Sequence, residues 1–254
     1  MYLGDNQVTR MYLGDDLVYS LASGVLYMVG ITNDVLYSLD QFTGVASRIG
    51  ESIEFGIGED NPTGLASIGD NLYMVGGTNE ALYQVNTSTG VATRVGTANQ
   101  FDVAEATPSG LGAIGDTLYM AGTTNDALYT VSTTSGIATR VGSANAFGVN
   151  ELFPLGLASI DNTLYMVGSN NAILYTVNTT TSIATRVGSA TAFGVNETIP
   201  SDLAAIDGTL YMLGRSNNAL YTLDTTTGIA TRIGSATAFG VNETVPSGLA
   251  HITY

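Results

Sequence analysis

Apolar side chains fall in short runs divided by glycine, asparagine, aspartate and threonine. In residues 64–109 the runs lie at 64–68, 72–76, 81–85 and 91–95, with polar stretches at 69–71, 77–80 and 86–90 between them. Each run is about as long as an average strand and is rich in Val, Ile, Thr and Tyr, whose branched or flat side chains pack well on a pleated surface. The runs at 72–76 and 81–85 are apolar at nearly every position, which predicts strands covered on both faces. The runs are too short for helices, and the glycine and threonine spacing breaks any 3.6-residue stripe. A loop over 97–109 leads to the next unit.

This unit recurs with a step of 46 residues and no insertion or deletion: Tyr27, Tyr73, Tyr119, Tyr165 and Tyr211 mark one position, and Tyr37, Tyr83, Tyr129, Tyr175 and Tyr221 another. Arg48, Arg94, Arg140, Arg186 and Arg232 keep the same phase, as do Pro62, Pro108, Pro154, Pro200 and Pro246. Residues 25–254 hold five such units. Four short antiparallel strands repeated at this period predict an all-β, five-bladed β-propeller. A solenoid is the rival, but it needs atypical polar caps. Here residues 248–252 copy a first strand while residues 25–50 supply strands two to four. The two ends therefore complement each other, which predicts a ring closed by the C-terminal strand. Leu17–Leu21 is the competing occupant of that slot. Residues 1–24 are set apart as an N-terminal extension, with three readings open: a decayed blade remnant, a segment packed on an edge, or a mobile one.

The stretches 128–136 (LYTVSTTSG) and 220–228 (LYTLDTTTG) resemble the Leu-Tyr-x-hydrophobic-Asp-x-x-Thr-Gly segment of PQQ-type propeller repeats. The likeness spans about a quarter of each unit and implies a fold, with no quinone-site residues to carry over. Five short, near-identical blades are also similar to the tachylectin family of sugar-binding propellers, in which each repeat builds one N-acetyl-sugar site between blades. The chain has no Trp and no Gly-Gly-Trp segment, so the resemblance is architectural and implies sugar binding only at that level.

Composition narrows the chemistry. There is no cysteine, so disulfides, thiolate catalysis and Cys-ligated metals are excluded, and His251 is the one histidine. All seven basic residues are arginines (the five above with Arg10 and Arg215), against 22 carboxylates, for a formal charge of −15. Such a surface repels phosphate backbones, so nucleic acid is excluded as a partner. No apolar run reaches the ~18–20 residues of a membrane span, so membrane insertion is not expected. The opening MYLGDNQVTR has no signal pattern; an extracellular setting is favoured only if a leader has been removed.

The loops carry the candidate site. Asn33, Asn79, Asn125, Asn171 and Asn217 occupy one turn position; Phe55, Phe101, Phe147, Phe193 and Phe239, and Glu59, Glu105, Glu151, Glu197 and Glu243, occupy two positions of the long loop. An aromatic face beside an amide and a carboxylate is what a sugar or polar molecule needs, so up to five equivalent ligand sites are expected. The competing roles are structural: phenylalanine plugging the gap between blades, asparagine accepting left-handed angles, and glutamate paired with the arginine eleven residues before it. Five equivalent carboxylates single out no acid or nucleophile, no Gly-x-Ser-x-Gly elbow occurs and no calcium-loop spacing appears. The expectation is a monomeric, cofactor-free, metal-free and non-enzymatic binding module for glycans or a displayed protein ligand. The alternative is a structural or protein-interaction scaffold.

Overall fold

The computed structural model describes residues 24–50, 55, 58–59, 61–96, 101, 103, 107–142, 147–149, 154–189, 193–234 and 239–254. It also describes the backbone of four upstream strands, β1 (Tyr2–Leu3), β2 (Asn6–Gln7), β3 (Arg10–Leu13) and β4 (Asp16–Ser20). The five blades follow. Blade 1 holds β5 (Gly24–Gly30), β6 (Val35–Leu39) and β7 (Ala46–Arg48). Blade 2 holds β8 (Pro62–Ile68), β9 (Asn71–Gly76), β10 (Ala81–Val85) and β11 (Ala92–Arg94). Blade 3 is β12 (Pro108–Ile114) to β15 (Ala138–Arg140), blade 4 is β16 (Pro154–Ile160) to β19 (Ala184–Arg186), and blade 5 is β20 (Pro200–Ile206) to β23 (Ala230–Arg232). Each blade is a four-stranded antiparallel meander, and no described residue is helical.

The last strand, β24 (Pro246–Thr253), completes blade 1 as its inner strand, in the order β24-β5-β6-β7. Leu249 faces Met28, Ala250 faces Tyr27 and His251 faces Leu26 in register. The competing segment does not take this place, because β4 pairs with β3. The hydroxyls of Tyr27 and Tyr254 meet at 2.7 Å beside the closing strand.

The continuous apolar runs have a direct reason. Successive side chains of a strand point to opposite faces, and each blade has a neighbour on both. Leu26 and Met28 of β5 pack toward blade 5, against Leu213 and Leu220, whereas Tyr27 and Val29 pack toward blade 2, against Leu72 and Met74. Five such inter-blade cores run around the ring, the blade 5–blade 1 core among them. The inner strands approach so closely that the glycines at 64, 110, 156 and 248 have no room for a Cβ. A ring of hydroxyls ties neighbouring inner strands together, with Ser109 Oγ donating to Pro154 O at 2.6 Å and Ser201 Oγ to Pro246 O at 2.8 Å.

Candidate functional site

In blades 1, 2 and 5 the loop before the inner strand brings its glutamate over the turn between the second and third strands of the same blade. In blade 2 this brings the Glu59 carboxylate onto three backbone N–H groups. Thr78 N donates at 2.9 Å and Asn61 N at 3.1 Å to Oε1, and Asn79 N donates at 3.0 Å to Oε2. The Asn79 side chain donates to Oε2 at 3.3 Å and to Gly58 O at 3.1 Å. The same arrangement recurs in blade 5, where Ser216 N and Asn217 N donate to Glu197 at 3.0 and 3.2 Å. In blade 1, Thr32 N and Asn33 N donate to Glu243 at 3.1 and 3.3 Å. All three glutamates are buried. A turn that has lost its ladder partners presents orphan N–H groups, and an ionised carboxylate is the strongest acceptor for them.

Asn33 and Asn217 close the cluster further. Their Nδ2 groups donate to Tyr37 Oη at 3.2 Å and Tyr221 Oη at 3.3 Å, and to the backbone carbonyls of Asn242 and Asn196. Asn125 Nδ2 reaches Tyr129 Oη at 3.2 Å. Asn171 holds the same half-buried turn position in blade 4. The left-handed residue of this turn is the next one, Asp34, Glu80, Asp126, Ala172 and Asn218, with φ between 46° and 50°. The asparagines are therefore kept for their side-chain bonds and not for their backbone angles.

The five phenylalanines lie inside the inter-blade cores. Phe55, Phe101, Phe147 and Phe193 are 0 % exposed and Phe239 is 2 % exposed. Each backbone carbonyl also accepts an N–H from the outer strand of the blade that follows it, as in Ala92 N to Phe55 O at 3.0 Å and Ala230 N to Phe193 O at 2.7 Å. A fully covered ring offers no face for a sugar to stack on. At the described positions the phenylalanines are packed in the inter-blade cores, and Glu59, Glu197 and Glu243 cap turns. Glu105 and Glu151 lie outside the described residues.

Glu59, Glu197 and Glu243 accept the turn N–H groups described above, while Glu105 and Glu151, the glutamates expected to pair with Arg94 and Arg140, lie outside the described residues. The arginines stand in register opposite the third-strand tyrosines, Arg94 across from Tyr83 and Arg232 across from Tyr221. Burial pushes the Tyr37, Tyr83 and Tyr221 hydroxyls above the ordinary tyrosine range, and the facing guanidinium groups partly offset this.

A second feature had no counterpart in the expected site. Asp202 stands where the other inner strands carry Gly64, Gly110, Gly156 and Gly248, and it is 0 % exposed. Its carboxylate accepts backbone N–H groups from four inner strands: Leu249 at 2.8 Å, Leu203 at 2.9 Å, Leu65 at 3.1 Å and Leu157 at 3.2 Å. Burial raises its pKa well above the usual carboxylate range, with the four N–H groups pulling the other way. The only sequence signal is the break in the glycine register.

Beside this level lies a cavity of about 90 Å³ on the axis, walled by Leu65, Leu111, Leu157, Leu203 and Leu249. His251 is half-buried at its mouth, where the other blades carry Ser67, Ala113, Ser159 and Ala205. Burial lowers the His251 pKa, opposed by the charge of Asp207. The Ser67 hydroxyl bonds His251 O at 2.6 Å and the Ser159 hydroxyl bonds Ala113 O at 2.5 Å, so both are spent on linking blades. Among the described residues no group of three His, Asp or Glu side chains is placed to hold a metal ion. Among these residues no helix is long and apolar enough to cross a membrane.

The chain is similar in fold to a chain in the crystal structure of a nidogen/laminin complex. The TM-score is 0.58 at 11 % identity, covering 90 % of this chain and 98 % of that one. It is also similar to a structural-genomics protein of unknown function from Bacteroides thetaiotaomicron VPI-5482, with a TM-score of 0.54 at 15 % identity, covering 93 % of this chain and 72 % of that one. At these identities the likeness concerns the fold alone. No curated protein matches the sequence. One family model matches residues 119–249, just over half of the chain, and by that match the chain belongs to the family described as a repeat of unknown function (DUF6923).

Proposed function

We propose that this chain is a non-enzymatic, multivalent binding module that meets a protein partner through its rim. The observation that carries the reading is one exposed apolar residue per blade, at a fixed place just before the outer strand. Val45, Val91, Ile137, Ile183 and Ile229 are 50, 40, 39, 40 and 45 % exposed. The repeated asparagines, phenylalanines and glutamates described above are spent inside the structure, and these positions are the apolar ones that the ring repeats toward solvent. Five modest contacts become useful together when a partner displays several copies of its own site, because later contacts form at high effective concentration. A non-enzymatic role follows the same symmetry. The repeated carboxylates that are described cap turns, and Asp202, the one that breaks the register, is sealed at the axis.

The test compares the wild-type ring with a rim variant carrying Val45→Ser, Val91→Ser, Ile137→Ser, Ile183→Ser and Ile229→Ser. Both are challenged with a phage-displayed peptide library and with immobilised simple glycans. Peptides selected on the wild type are expected to bind at several sites per ring and to lose binding on the rim variant, with no glycan retained. Peptides that bind both proteins equally, or glycan retention that the rim variant preserves, would contradict the reading.

A further inference from the structure

The axis of the ring is built as an anion site. Backbone N–H groups that converge on one point form a concavity suited to a small oxyanion, and bonds to an ionised acceptor are about twice as strong as neutral ones. Here the convergence arises from the repeat itself. Every inner strand carries a leucine at the same level, preceded by glycine in four blades and by Asp202 in the fifth, and the missing Cβ atoms of the four glycines let the backbones crowd around the axis. Four of the five leucine N–H groups, those of Leu65, Leu157, Leu203 and Leu249, end on one carboxylate, that of Asp202. The fifth leucine, Leu111, lines the adjoining cavity with the others.

We propose that the axis is a binding site for a small carboxylate, which this chain fills with its own Asp202. The geometry distinguishes this from a residue that merely packs. Both carboxylate oxygens are used, Oδ1 by Leu157 and Leu203 and Oδ2 by Leu65 and Leu249, so the ligand is held as a two-oxygen acceptor. The donors are main-chain groups of blades 1, 2, 4 and 5. The cavity of about 90 Å³ alongside is walled by the same leucines and is of a size for a formate or acetate ion.

The experiment is chemical rescue of Asp202→Gly, which restores the residue found at the four sister positions. Thermal unfolding of wild type, Asp202→Gly and Asp202→Asn is followed in rising sodium formate. Sodium gluconate at equal concentration, too large for the cavity, serves as the control. The glycine variant is expected to gain about 4 °C once formate is tenfold above its Kd, with no such gain in gluconate or in the wild type. Asp202→Asn keeps the site filled but turns an N–H₂ toward donors, so it is expected to be destabilised and unresponsive. Identical formate responses in wild type and Asp202→Gly, or equal gains in formate and gluconate, would overturn the proposal. If Asp202→Gly were recovered only unfolded without formate, its refolding on addition of formate but not gluconate would support the site, and its failure to refold in either would refute it.

Discussion

Gly76 stands against the carboxylate of Glu59 with no space for a methyl group between them. Gly30 and Glu243, and Gly214 and Glu197, repeat the relationship in blades 1 and 5. The glycine at the end of the second strand is therefore a seat for the glutamate that caps the following turn. Gly76→Ala is expected to expel the carboxylate and leave the Thr78 and Asn79 N–H groups without it, at a cost of about 3 kcal/mol, and Glu59→Ala is expected to cost a similar amount. The two losses are expected to overlap, so that Gly76→Ala costs far less in the Glu59→Ala background. A double-mutant cycle by urea unfolding measures this; additive losses would show that the glycine has some other role.

Removing residues 246–254 is expected to expose β5 as an unpaired edge. That strand is seven residues long and its Leu26, Met28 and Val29 are buried in the intact ring, so the exposed edge is apolar as well as unbonded. Such edges recruit other chains, and light scattering is expected to show concentration-dependent association. A monodisperse truncated monomer would speak against closure by the C-terminal strand.

Alkaline pH is expected to unfold the ring cooperatively. Tyr37, Tyr83 and Tyr221 have hydroxyl pKa values raised in the folded state, chiefly by burial. A raised folded pKa contributes stability that is fully present below the unfolded value, about 10, and is lost as pH climbs through the folded value. Tyrosinate absorbance is expected to rise late and steeply, together with loss of β-sheet circular dichroism. A smooth titration centred on the ordinary tyrosine pKa, with the sheet signal intact, would contradict the burial of these hydroxyls.

Ser182 occupies a left-handed position, φ 67°, that Gly44, Gly90, Gly136 and Gly228 fill in the other blades. It holds the place by accepting the Leu128 N–H at 3.2 Å across the blade boundary. Ser182→Ala keeps the backbone strain and loses the bond, so it is expected to cost about 1 kcal/mol. Ser182→Gly loses the bond but relieves a strain of about 1 kcal/mol, so it is expected to stay near the wild type. Thermal unfolding separates the two; equal stabilities would mean that the left-handed angle carries no cost here.

The fold was legible because its signals are periodic. The phase shared by Leu26 and Leu249 is enough to place the closing strand, and alternation between two covered faces explains why β9 and β10 are apolar at nearly every position. The turn chemistry was harder. An arginine and a glutamate fixed in every copy suggest an ion pair, whereas the backbone N–H groups that Glu59 accepts leave no mark in a sequence. What did leave a mark was the glycine at 30, 76, 122, 168 and 214, whose reason at 30, 76 and 214 appears only when the glutamate is folded against it. Asp202 was hidden for the opposite reason: it is a single departure from a repeat, and at the crowded axis one side chain serves four strands.

The most direct measurement is the stability of Phe147→Ala. Phe147 is fully buried and packs with Leu164, Met166 and Tyr175 between blades 3 and 4. If the repeated loop residues hold the blades together, the substitution empties that core, and urea unfolding is expected to show a loss of about 3–5 kcal/mol. An unfolding midpoint unchanged from the wild type would contradict this and return the phenylalanines to the surface as ligand contacts.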